Sequence, residues 1–443
     1  MKKVLIISYY FPPSGGPGVQ RVLKMVKYLP QFGWEPVVLT VEEGDYPARD
    51  ESLLEEIPEG TRVYRTKIFE PYRLYRRLTG KRADSPVDVE NIPRSGGGRS
   101  VAERLAGFIR ETFFIPDARI GWFPYAYPYA KEIATTEGIE AIYSSSPPYT
   151  TAVIARELHN KTGIPWVAGF RDPWVGFISS PERWSFPRAV DSFLERSVYE
   201  DADLVECAWA GIMTDFQTKY PHVNPLKCIH LPNGFDSQDY PAVPPVENDR
   251  FTVVYTGSMY GRRTPQNFLA AVEALAAAGR VDPSRIRFRF IGRFGAEVVR
   301  MLERSTLHGS VEIVSYLPHR ESILELMKAD ALLLVVDEAK ESAQIVPGKV
   351  FEYVGARKPI IAIAPPGAVS ALIGETRSGF VADRNDRAAI QRAFVECYEN
   401  YLYHKKPFQP NLEAMKKYER RETSRRLAEL LDYLRTHRAS PRQ

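Results

Sequence analysis

Short apolar runs alternate with amphipathic helical patterns along the whole chain. In the first half the apolar runs predict strands at Val4–Ser8, Pro36–Thr40, Arg62–Thr66, Ala141–Ser144, Trp166–Phe170, Leu204–Cys207 and Cys228–Leu231. In the second half they predict strands at Phe251–Thr256, Arg287–Ile291, Val311–Val314, Ala331–Val336, Ile360–Ala364 and Gly379–Ala382. Helices are predicted between them, among others at Val19–Phe32, Thr150–Thr162, Pro265–Ala278, Glu321–Met327, Pro347–Gly355 and Arg387–Glu399. This alternation is typical of parallel α/β architecture and predicts two doubly wound domains in tandem.

Domain boundaries follow from the composition between these elements. Pro241–Asp249 is proline-rich and polar, which is typical of a linker. We therefore predict an N-terminal domain over residues 1–240 and a second domain over residues 246–405. Leucines on one helical face predict a final helix over residues 410–437. Residues 73–100 have paired basic residues and few large apolar ones, so we predict a mobile excursion from the first domain there.

An aromatic stretch, Val101–Tyr129, follows that excursion. Because aromatic side chains are usually buried, we expect most of them in the core. The alternative is a half-exposed surface that meets an apolar acceptor or a bilayer. In that case the basic residues of Arg73–Arg82 would add attraction to an anionic membrane.

Composition and charge exclude several classes of function. The 443 residues, 44% apolar and 26% charged, fit an ordinary globular chain of two or three domains. A net charge of +4 is too small to indicate nucleic-acid binding. Three cysteines without a CxxC pair argue against a zinc site or a disulfide framework and fit a reducing compartment. No apolar run reaches the ~18 residues of a spanning helix, and the first residues predict a buried strand rather than a signal peptide.

Two features follow strands of the first domain. Ser14–Gly18 leads from a strand into a helix, and its glycines let a ligand approach the amides of the helix start. A dinucleotide fingerprint needs a third glycine where Arg21 stands, so the loop is a weak signal for NAD and is otherwise a tight turn. Asp172 follows another buried strand, where it can accept a proton or stabilise positive charge, or instead cap a turn or pair with Arg171.

Basic and glycine residues follow strands of the second domain. Arg262 and Arg263 come after Phe251–Thr256, and two guanidiniums there can grip a diphosphate. A solvated basic turn has the same sequence pattern. Gly292 directly follows the next strand.

The segment Gln344–Tyr353 is the most informative one. Pro347 suits the first turn of a helix, whose free amides, together with Lys349, would point at an anion. Glu352 can accept two hydroxyl hydrogen bonds, as a ribose 2′,3′-diol would supply; the alternative is a solvated helix residue. The pattern Asp201-Ala202-Asp203 lies between a helix and a strand, and we interpret it as turn capping rather than as a metal site.

In this order along the chain, the segments resemble the retaining GT-B glycosyltransferases of family 4, in particular the branch that builds cell-surface polysaccharides. The resemblance rests on Gly15-Gly16, Asp172, Pro232–Asp236, Gly257–Arg263, Gly292, Ser315–Pro318 and Pro347–Tyr353. It implies two Rossmann-like domains with a cleft between them and a nucleotide-sugar donor, UDP-linked by preference, on the second domain. It also implies that the final helix packs back on the first domain.

The resemblance implies roles for the donor-side residues. Glu352 would bind the donor ribose, and Arg263 would hold the diphosphate as it departs, with Arg262 or Lys349 assisting. The other donor-side positions are Gly292, Leu317, Gln344 and Val346.

On the acceptor side, Gly15 and Gly16 would face the diphosphate and the acceptor, and Asp172 would lie near the reacting sugar. Two positions depart from the family pattern. Gln344 replaces the first glutamate of the E-x7-E pattern, and Ser258 stands where many relatives have a basic residue.

The implied activity is transfer of a hexose-type sugar to a lipid-linked or polysaccharide acceptor, with retention of configuration and without a metal or other cofactor. The implied location is the cytoplasm, at the inner face of the cytoplasmic membrane. Three alternatives stay open: a catalytically weak donor-binding partner subunit, suggested by Gln344; a nucleotide-sugar epimerase of the same fold; and an NAD-type oxidoreductase.

Overall fold

The computed structural model describes residues 1–46, 48–70, 112, 114–177, 180, 183–242, 247–261, 263–336, 343–404 and 406–438. The chain divides into two compact units. The first unit comprises Met1–Pro232 and Thr423–Gln443, and the second comprises Asn233–Glu422. The predicted excursion at residues 73–100 lies outside the described residues, as do residues 243–246 of the predicted linker.

A parallel sheet forms the centre of the first unit. Its described strands are β1 Lys2–Ile7, β2 Trp34–Val41, β3 Arg62–Thr66, β4 Ala141–Ser146, β5 Trp166–Phe170, β6 Leu204–Cys207 and β7 Cys228–His230. The described helices between them are α1 Pro17–Tyr28, α2 Phe123–Thr136, α3 Thr150–Thr162, α4 Ser185–Asp201 and α5 Ala210–Lys219. The strand order is β3-β2-β1-β4-β5-β6-β7, so the direction of winding changes between β1 and β4. Ligands of open α/β sheets bind at the carboxyl ends of the strands near such a reversal.

The second unit repeats this architecture. Its described strands are β8 Phe251–Thr256, β9 Ile286–Ile291, β10 Val311–Val314, β11 Ala331–Val335, β12 Ile360–Ile363 and β13 Gly379–Ala382. Its described helices are α6 Gln266–Ala277, α7 Ala296–Arg304, α8 His319–Lys328, α9 Gly348–Ala356, α10 Ala368–Thr376, α11 Arg387–Tyr403 and α12 Leu412–Lys416. The strand order is β10-β9-β8-β11-β12-β13, and all pairs are parallel. Every predicted strand is present in the two sheets, and the predicted doubly wound α/β class is confirmed.

The central strands β8, β11 and β12 are buried on both faces, which explains why they are nearly continuous apolar runs. Val253 and Tyr255 of β8 pack into one cluster with α6 and α11. Val254 and Leu332 point to the opposite face and pack with α8, α9 and α10. Phe235 also belongs to this second cluster. The residues after Pro232 therefore pack in the second unit, ahead of the predicted boundary at residue 240.

The prediction of one continuous C-terminal helix over residues 410–437 is wrong. Helix α12 ends at Lys416, and helix α13 spans Arg420–Arg438. Between them the Tyr418 carbonyl accepts the Phe235 amide at 3.0 Å, and the Phe235 carbonyl accepts the Arg420 amide at 2.8 Å. A side chain on Gly234 would overlap the Tyr418 carbonyl, so glycine is required there. The helix breaks because this backbone pairing replaces its own hydrogen bonds.

Beyond the break, one face of α13 enters the core of the first unit. Leu427, Leu431 and Leu434 pack in the same cluster as Val4 and Leu23. In the ranges given above, no helix combines the length and apolar character that crossing a membrane requires.

The expectation of a buried aromatic stretch holds for only part of it. Trp122 is fully buried and donates its indole N–H to Thr66 Oγ1 at 2.8 Å. Tyr125 and Tyr129 are 42% and 50% exposed, so the expectation is wrong for these two. They occupy the outer face of α2, whose inner face is filled by alanines and Ile133.

Candidate functional site

Two glycines shape the carboxyl edge of the second sheet. Gly257 follows β8 and donates its amide to Ile291 O at 2.8 Å, and Gly292 follows β9 and donates to Val314 O at 2.9 Å. Both have positive φ, +108° and +141°, a region that favours glycine. A Cβ on Gly292 would overlap the carbonyl of Gly257. The predicted donor-side residue Gly292 is therefore required by the backbone, since it lets the two strand ends approach each other.

Hydrogen bonds to the neighbouring loop order the turn that carries Arg263. Met259 donates its amide to Arg293 O at 3.0 Å, and Gly261 donates its amide to Glu297 Oε1 at 3.1 Å. Hydrogen bonds from backbone amides lower the pKa of Glu297, which keeps this carboxylate charged. These two hydrogen bonds hold the backbone of Met259 and Gly261 against the loop that follows β9.

Lys349, one of the predicted residues, reaches from the start of α9 to the end of β8. Its Nζ donates to Tyr255 Oη at 2.7 Å and to Thr256 O at 2.9 Å. It also lies 4.2 Å from the centre of the Tyr255 ring. A Cβ on Gly257 would come within 2.6 Å of Nζ, so the glycine makes room for the ammonium group. Lys349 therefore lies at the sheet edge near the turn of Arg263.

The ammonium group of Lys349 is held in an unfavourable electrostatic environment. Burial, together with the smaller effect of the positive charge of Arg263, lowers the pKa of Lys349 to about 7, and Glu352 acts in the opposite direction. A strongly shifted pKa caused by burial and a specific like charge is typical of a functional site. Two cations brought together in this way favour an anion between or beside them.

The guanidinium of Arg263 points to the same conclusion. Within the described part of the chain, its buried Nε has no hydrogen-bond partner. Buried polar groups in proteins are usually bonded, so this N–H is available to a ligand or a water molecule, as is the buried Nε of Arg287 or Arg289 elsewhere in the unit. Arg262, the other predicted arginine, lies outside the described residues.

Glu352 lies on α9, one turn after Lys349, with 28% of its side chain exposed. Its carboxylate Oε1 is 3.5 Å from His319 Nε2, and its backbone carbonyl accepts the Tyr240 hydroxyl at 2.8 Å. Sequence reasoning missed His319 and Tyr255. His319 begins α8, directly after Ser315–Pro318 at the carboxyl end of β10, and that position is the signal that could have identified it.

The other predicted donor-side residues differ in their surroundings. Leu317 and Val346 are partly buried and pack against the core of the second unit. Gln344 is exposed. The structure thus brings Arg263, Lys349 and Glu352 close enough to influence one another, and it gives Leu317 and Val346 packing roles.

In the first unit, the predicted glycine loop leads directly into α1. Gly15 donates its amide to Ala48 O at 2.9 Å, and Gly16 has a φ of +103° immediately before the helix. A Cβ on Gly18 would lie 3.2 Å from Arg171 Nη2, so the small residue leaves space for that guanidinium.

Arg171 and Asp172 follow β5 at the same edge. Arg171 donates Nη1 to Ser145 Oγ at 2.6 Å and Nη2 to the carbonyl of Pro147. Burial lowers the pKa of Arg171 and raises the pKa of Asp172, and the attraction of Arg171 partly offsets the rise at Asp172. The raised pKa makes the Asp172 carboxylate a better proton acceptor than an ordinary aspartate. Sequence reasoning considered Arg171 only as a partner of Asp172 and missed its contact with the glycine loop.

Arg21 has a structural role that explains the missing third glycine. Its buried guanidinium forms an ion pair with Glu206 and donates to Leu231 O at 2.8 Å and Pro232 O at 3.1 Å. The Tyr143 hydroxyl donates to the other Glu206 oxygen at 2.8 Å. The loop is therefore anchored by a charged network where a dinucleotide fingerprint would have close glycine packing.

The Asp201 and Asp203 carboxylates bond to protein groups. Asp201 accepts Arg156 Nε at 2.7 Å, and Asp203 accepts the Trp166 amide at 2.8 Å. Asp201 thus ties the end of α4 to α3, and Asp203 ties the start of β6 to β5, so these bonds link neighbouring elements instead of capping the turn.

The chain consists of two doubly wound parallel units, and the second has a cationic pair and a helix start at the carboxyl edge of its sheet. By its fold the chain belongs to the GT-B class, which has two Rossmann-like domains.

Comparisons with known proteins agree with this class. Residues 250–400 match the family described as glycosyl transferases group 1. The chain is similar to Anabaena HepE in complex with UDP-glucose, with a TM-score of 0.56 and 14% identity over 99% of this chain and 98% of that one. It is similar to the sucrose-phosphate synthase of Thermosynechococcus elongatus, with a TM-score of 0.63 and 13% identity over 99% and 100%. It is also similar to WaaG, a glycosyltransferase involved in lipopolysaccharide biosynthesis, with a TM-score of 0.52 and 15% identity over 98% of both chains. No curated protein is significantly similar in sequence.

Proposed function

We propose that the protein is a glycosyltransferase that moves a hexose-type sugar from a nucleoside-diphosphate sugar, UDP-linked by preference, to a glycan or polyprenyl-linked acceptor. The observation that carries this proposal is the pair of cations, Arg263 and Lys349, beside the start of α9. The match of residues 250–400 to a glycosyltransferase family and the similarity to HepE with bound UDP-glucose support it.

The cationic pair suits the chemistry of the reaction. Breaking the bond between the sugar and the diphosphate builds negative charge on the departing phosphate. Preorganised cations and helix-terminal amides lower the barrier when they are aimed at that charge. Arg263, whose Nε is buried without a partner among the described residues, would bind the diphosphate most directly. Lys349 would become fully charged as the diphosphate binds.

Glu352 would bind the ribose of the donor. Its side chain is partly exposed, and its carboxylate can accept hydrogen bonds from both hydroxyls of a 2′,3′-diol. His319, 3.5 Å away, would orient it. The planar guanidinium of Arg293 lies 5.2 Å from the centre of the Tyr316 ring. These two planar groups would offer a stacking surface for the nucleobase.

On the first unit, the glycine loop and Asp172 would serve the acceptor. Gly15 and Gly16 would let a phosphate-bearing group approach the start of α1, and Asp172 would stabilise the positive charge that develops on the sugar. We further propose retention of configuration, no requirement for a metal, and action at the inner face of the cytoplasmic membrane, where a polyprenyl-linked acceptor would be anchored.

Thermal-shift measurements with UDP, GDP, ADP and NAD test the proposal, because a ligand that binds the native state raises the melting temperature. We expect a rise with UDP or another nucleoside diphosphate and none with NAD. Stabilisation by NAD alone would refute the transferase function. The anomeric configuration of the product, measured by NMR with the active donor, tests retention.

A further inference from the structure

Tyr255 lies near the carboxyl end of β8, with its ring in the core of the second unit and its hydroxyl beside the candidate site. The ring packs in the same cluster as Phe251 and Val253, which point to the same face of the strand, and lies 6.1 Å from the ring of Phe290. A phenylalanine would supply the same apolar ring. Packing therefore accounts for an aromatic side chain at this position but not for its hydroxyl.

The proton of this hydroxyl is used by the backbone. Tyr255 Oη donates to Ser258 O at 2.9 Å, in the turn that leads to Arg263. Burial raises the pKa of Tyr255, and the opposing charge of Arg263 is a smaller effect, so the hydroxyl keeps its proton at neutral pH. Because a hydroxyl has a single proton, Tyr255 Oη can only accept hydrogen bonds from its other neighbours.

Lys349 is the neighbour that makes use of this acceptor. Its Nζ donates to Tyr255 Oη at 2.7 Å and lies 4.2 Å from the centre of the same ring, whose face attracts cations. Gly257 has no side chain and so leaves space for the ammonium group at the strand end. The hydroxyl and the ring of Tyr255 therefore both favour the charged form of the lysine.

The other groups around Lys349 differ in their effect on its charge. Burial and the positive charge of Arg263 disfavour the ammonium, whereas Glu352 on α9 favours it. The hydroxyl of Tyr353, also on α9, accepts the backbone amide that follows Tyr255 in β8, at 2.8 Å. Within the described part of the chain, Tyr255 is thus the side chain to which Lys349 Nζ donates a hydrogen bond.

The number of N–H groups on Lys349 explains why its charge matters to an anionic ligand. The bonds to Tyr255 Oη and Thr256 O use two N–H groups. An ammonium has a third, which can be donated to a diphosphate oxygen. A neutral amine has only two, so its lone pair would face that oxygen instead. Tyr255 cannot donate to this lone pair, because its proton is used by Ser258.

We propose that Tyr255 is a positioning residue of the donor site: its hydroxyl, which donates to Ser258 and accepts from Lys349, keeps the ammonium charged and leaves the third N–H for the diphosphate of the donor. This inference rests on the proposed function and adds a residue to it. Tyr255 acts through Lys349 and does not itself touch the donor.

The titration of Lys349 in the ligand-free protein tests the proposal without any donor. NMR of isotopically labelled lysine side chains follows the titration, and Lys349→Arg identifies the signal because it lacks it. The parent should titrate with a midpoint of about 7. Tyr255→Phe keeps the ring but removes the acceptor, so its midpoint should be about one pH unit lower.

Calorimetry with a UDP-sugar then measures the consequence for binding. At pH 8, Tyr255→Phe should bind about tenfold more weakly than the parent, since a smaller fraction of its Lys349 is charged. At pH 5 the two proteins should agree within about threefold, because the lysine is charged in both. When Tyr255→Phe is added to Lys349→Arg, the affinity should stay independent of pH, since an arginine remains charged.

Tyr353→Phe is the matched control. It also removes one buried hydroxyl, and that hydroxyl bonds to the same strand end but not to Lys349. We expect both phenylalanine variants to lower the melting temperature by a few degrees, because each removes a buried hydrogen bond. Only Tyr255→Phe should shift the titration of Lys349.

Three results would overturn the role of Tyr255. The first is a Lys349 midpoint in Tyr255→Phe equal to that of the parent. The second is an equal shift in Tyr353→Phe, and the third is a loss of UDP-sugar affinity that is the same at pH 5 and pH 8. A parent protein that binds no UDP-sugar at either pH would instead refute the proposed function, so the two failures can be distinguished.

Discussion

Raising the pH should weaken donor binding through Lys349. In the free protein, burial and, to a smaller extent, the charge of Arg263 lower the pKa of Lys349 to about 7, and Glu352 opposes this shift. A diphosphate beside Nζ favours the charged amine, so the pKa rises when the donor binds. Binding then takes up a proton whenever the free lysine is neutral.

The magnitude follows from that pKa. With a pKa of about 7, the charged fraction of free Lys349 falls from about 0.9 at pH 6 to about 0.1 at pH 8. Donor affinity should therefore fall about tenfold between pH 6 and pH 8, provided that the pKa in the complex lies above this range. The expected proton uptake is about 0.1 per donor at pH 6 and about 0.9 at pH 8.

Calorimetry in buffers of different ionisation enthalpy measures both quantities. A UDP-sugar is the right ligand, because its diphosphate is esterified at both ends and does not titrate in this range, whereas free UDP has a phosphate pKa near 6. Lys349→Arg is the matched control, since an arginine stays charged and should give flat affinity without proton uptake. Lys349→Gln should bind weakly at every pH.

Two outcomes would refute this reasoning. The first is equal affinity of the parent protein at pH 6 and pH 8. The second is proton uptake that persists in Lys349→Gln, which would assign the titration to another group. The pH dependence of the free energy of unfolding provides a separate check on the direction of the Lys349 pKa shift. A lysine whose pKa is lowered by folding binds fewer protons than in the unfolded chain, so stability without ligand should rise with pH from about 7 to 10.5.

Four further predictions concern single residues. Glu352→Ala should weaken nucleotide binding about ten- to hundredfold through loss of a charge-assisted hydrogen bond, and Glu352→Gln should weaken it less. Calorimetry measures the affinities, with the melting temperature as the control for folding. Parent-like binding by Glu352→Ala would mean that Glu352 is only a solvated helix residue. Arg263→Ala should lower both kcat and donor affinity, since its charge acts most strongly as the diphosphate departs, and a change in affinity alone would contradict that role. Asp172→Asn should lower kcat while UDP binding stays unchanged, as steady-state kinetics with calorimetry can show. Gly234→Ala should lower the melting temperature by several degrees, because its Cβ would overlap the Tyr418 carbonyl, and an unchanged value would contradict the required close approach.

The central strands of the two sheets could be predicted from the sequence because parallel strands buried on both faces are continuous apolar runs. Ala331–Val335 and Ile360–Ile363 are examples. The final helix was predicted, but its start at Arg420 could not be, because the break at Tyr418 comes from a pairing with Phe235, far away in sequence. Helical periodicity carries no information about such a partner.

The candidate site, too, could be predicted only in part from the sequence. The helix start before Lys349 and the carboxylate of Glu352 follow from local patterns and strand ends. The bond from Lys349 to the Tyr255 hydroxyl does not, since Tyr255 belongs to an apolar strand and its hydroxyl acquires a partner only when α9 packs there. The proximity of His319 to Glu352 likewise depends on how α8 and α9 pack against each other.

The placement of α13 also has a consequence for biosynthesis. The first unit is discontinuous in sequence, because Thr423–Gln443 belongs to it while Asn233–Glu422 forms the second unit. Leu427, Leu431 and Leu434 fill its core beside α1. On a ribosome, the first unit therefore stays incomplete until the whole second unit has been made. A nascent chain stopped before residue 423 would present an open apolar groove to chaperones, even though every strand of both sheets has already been synthesised.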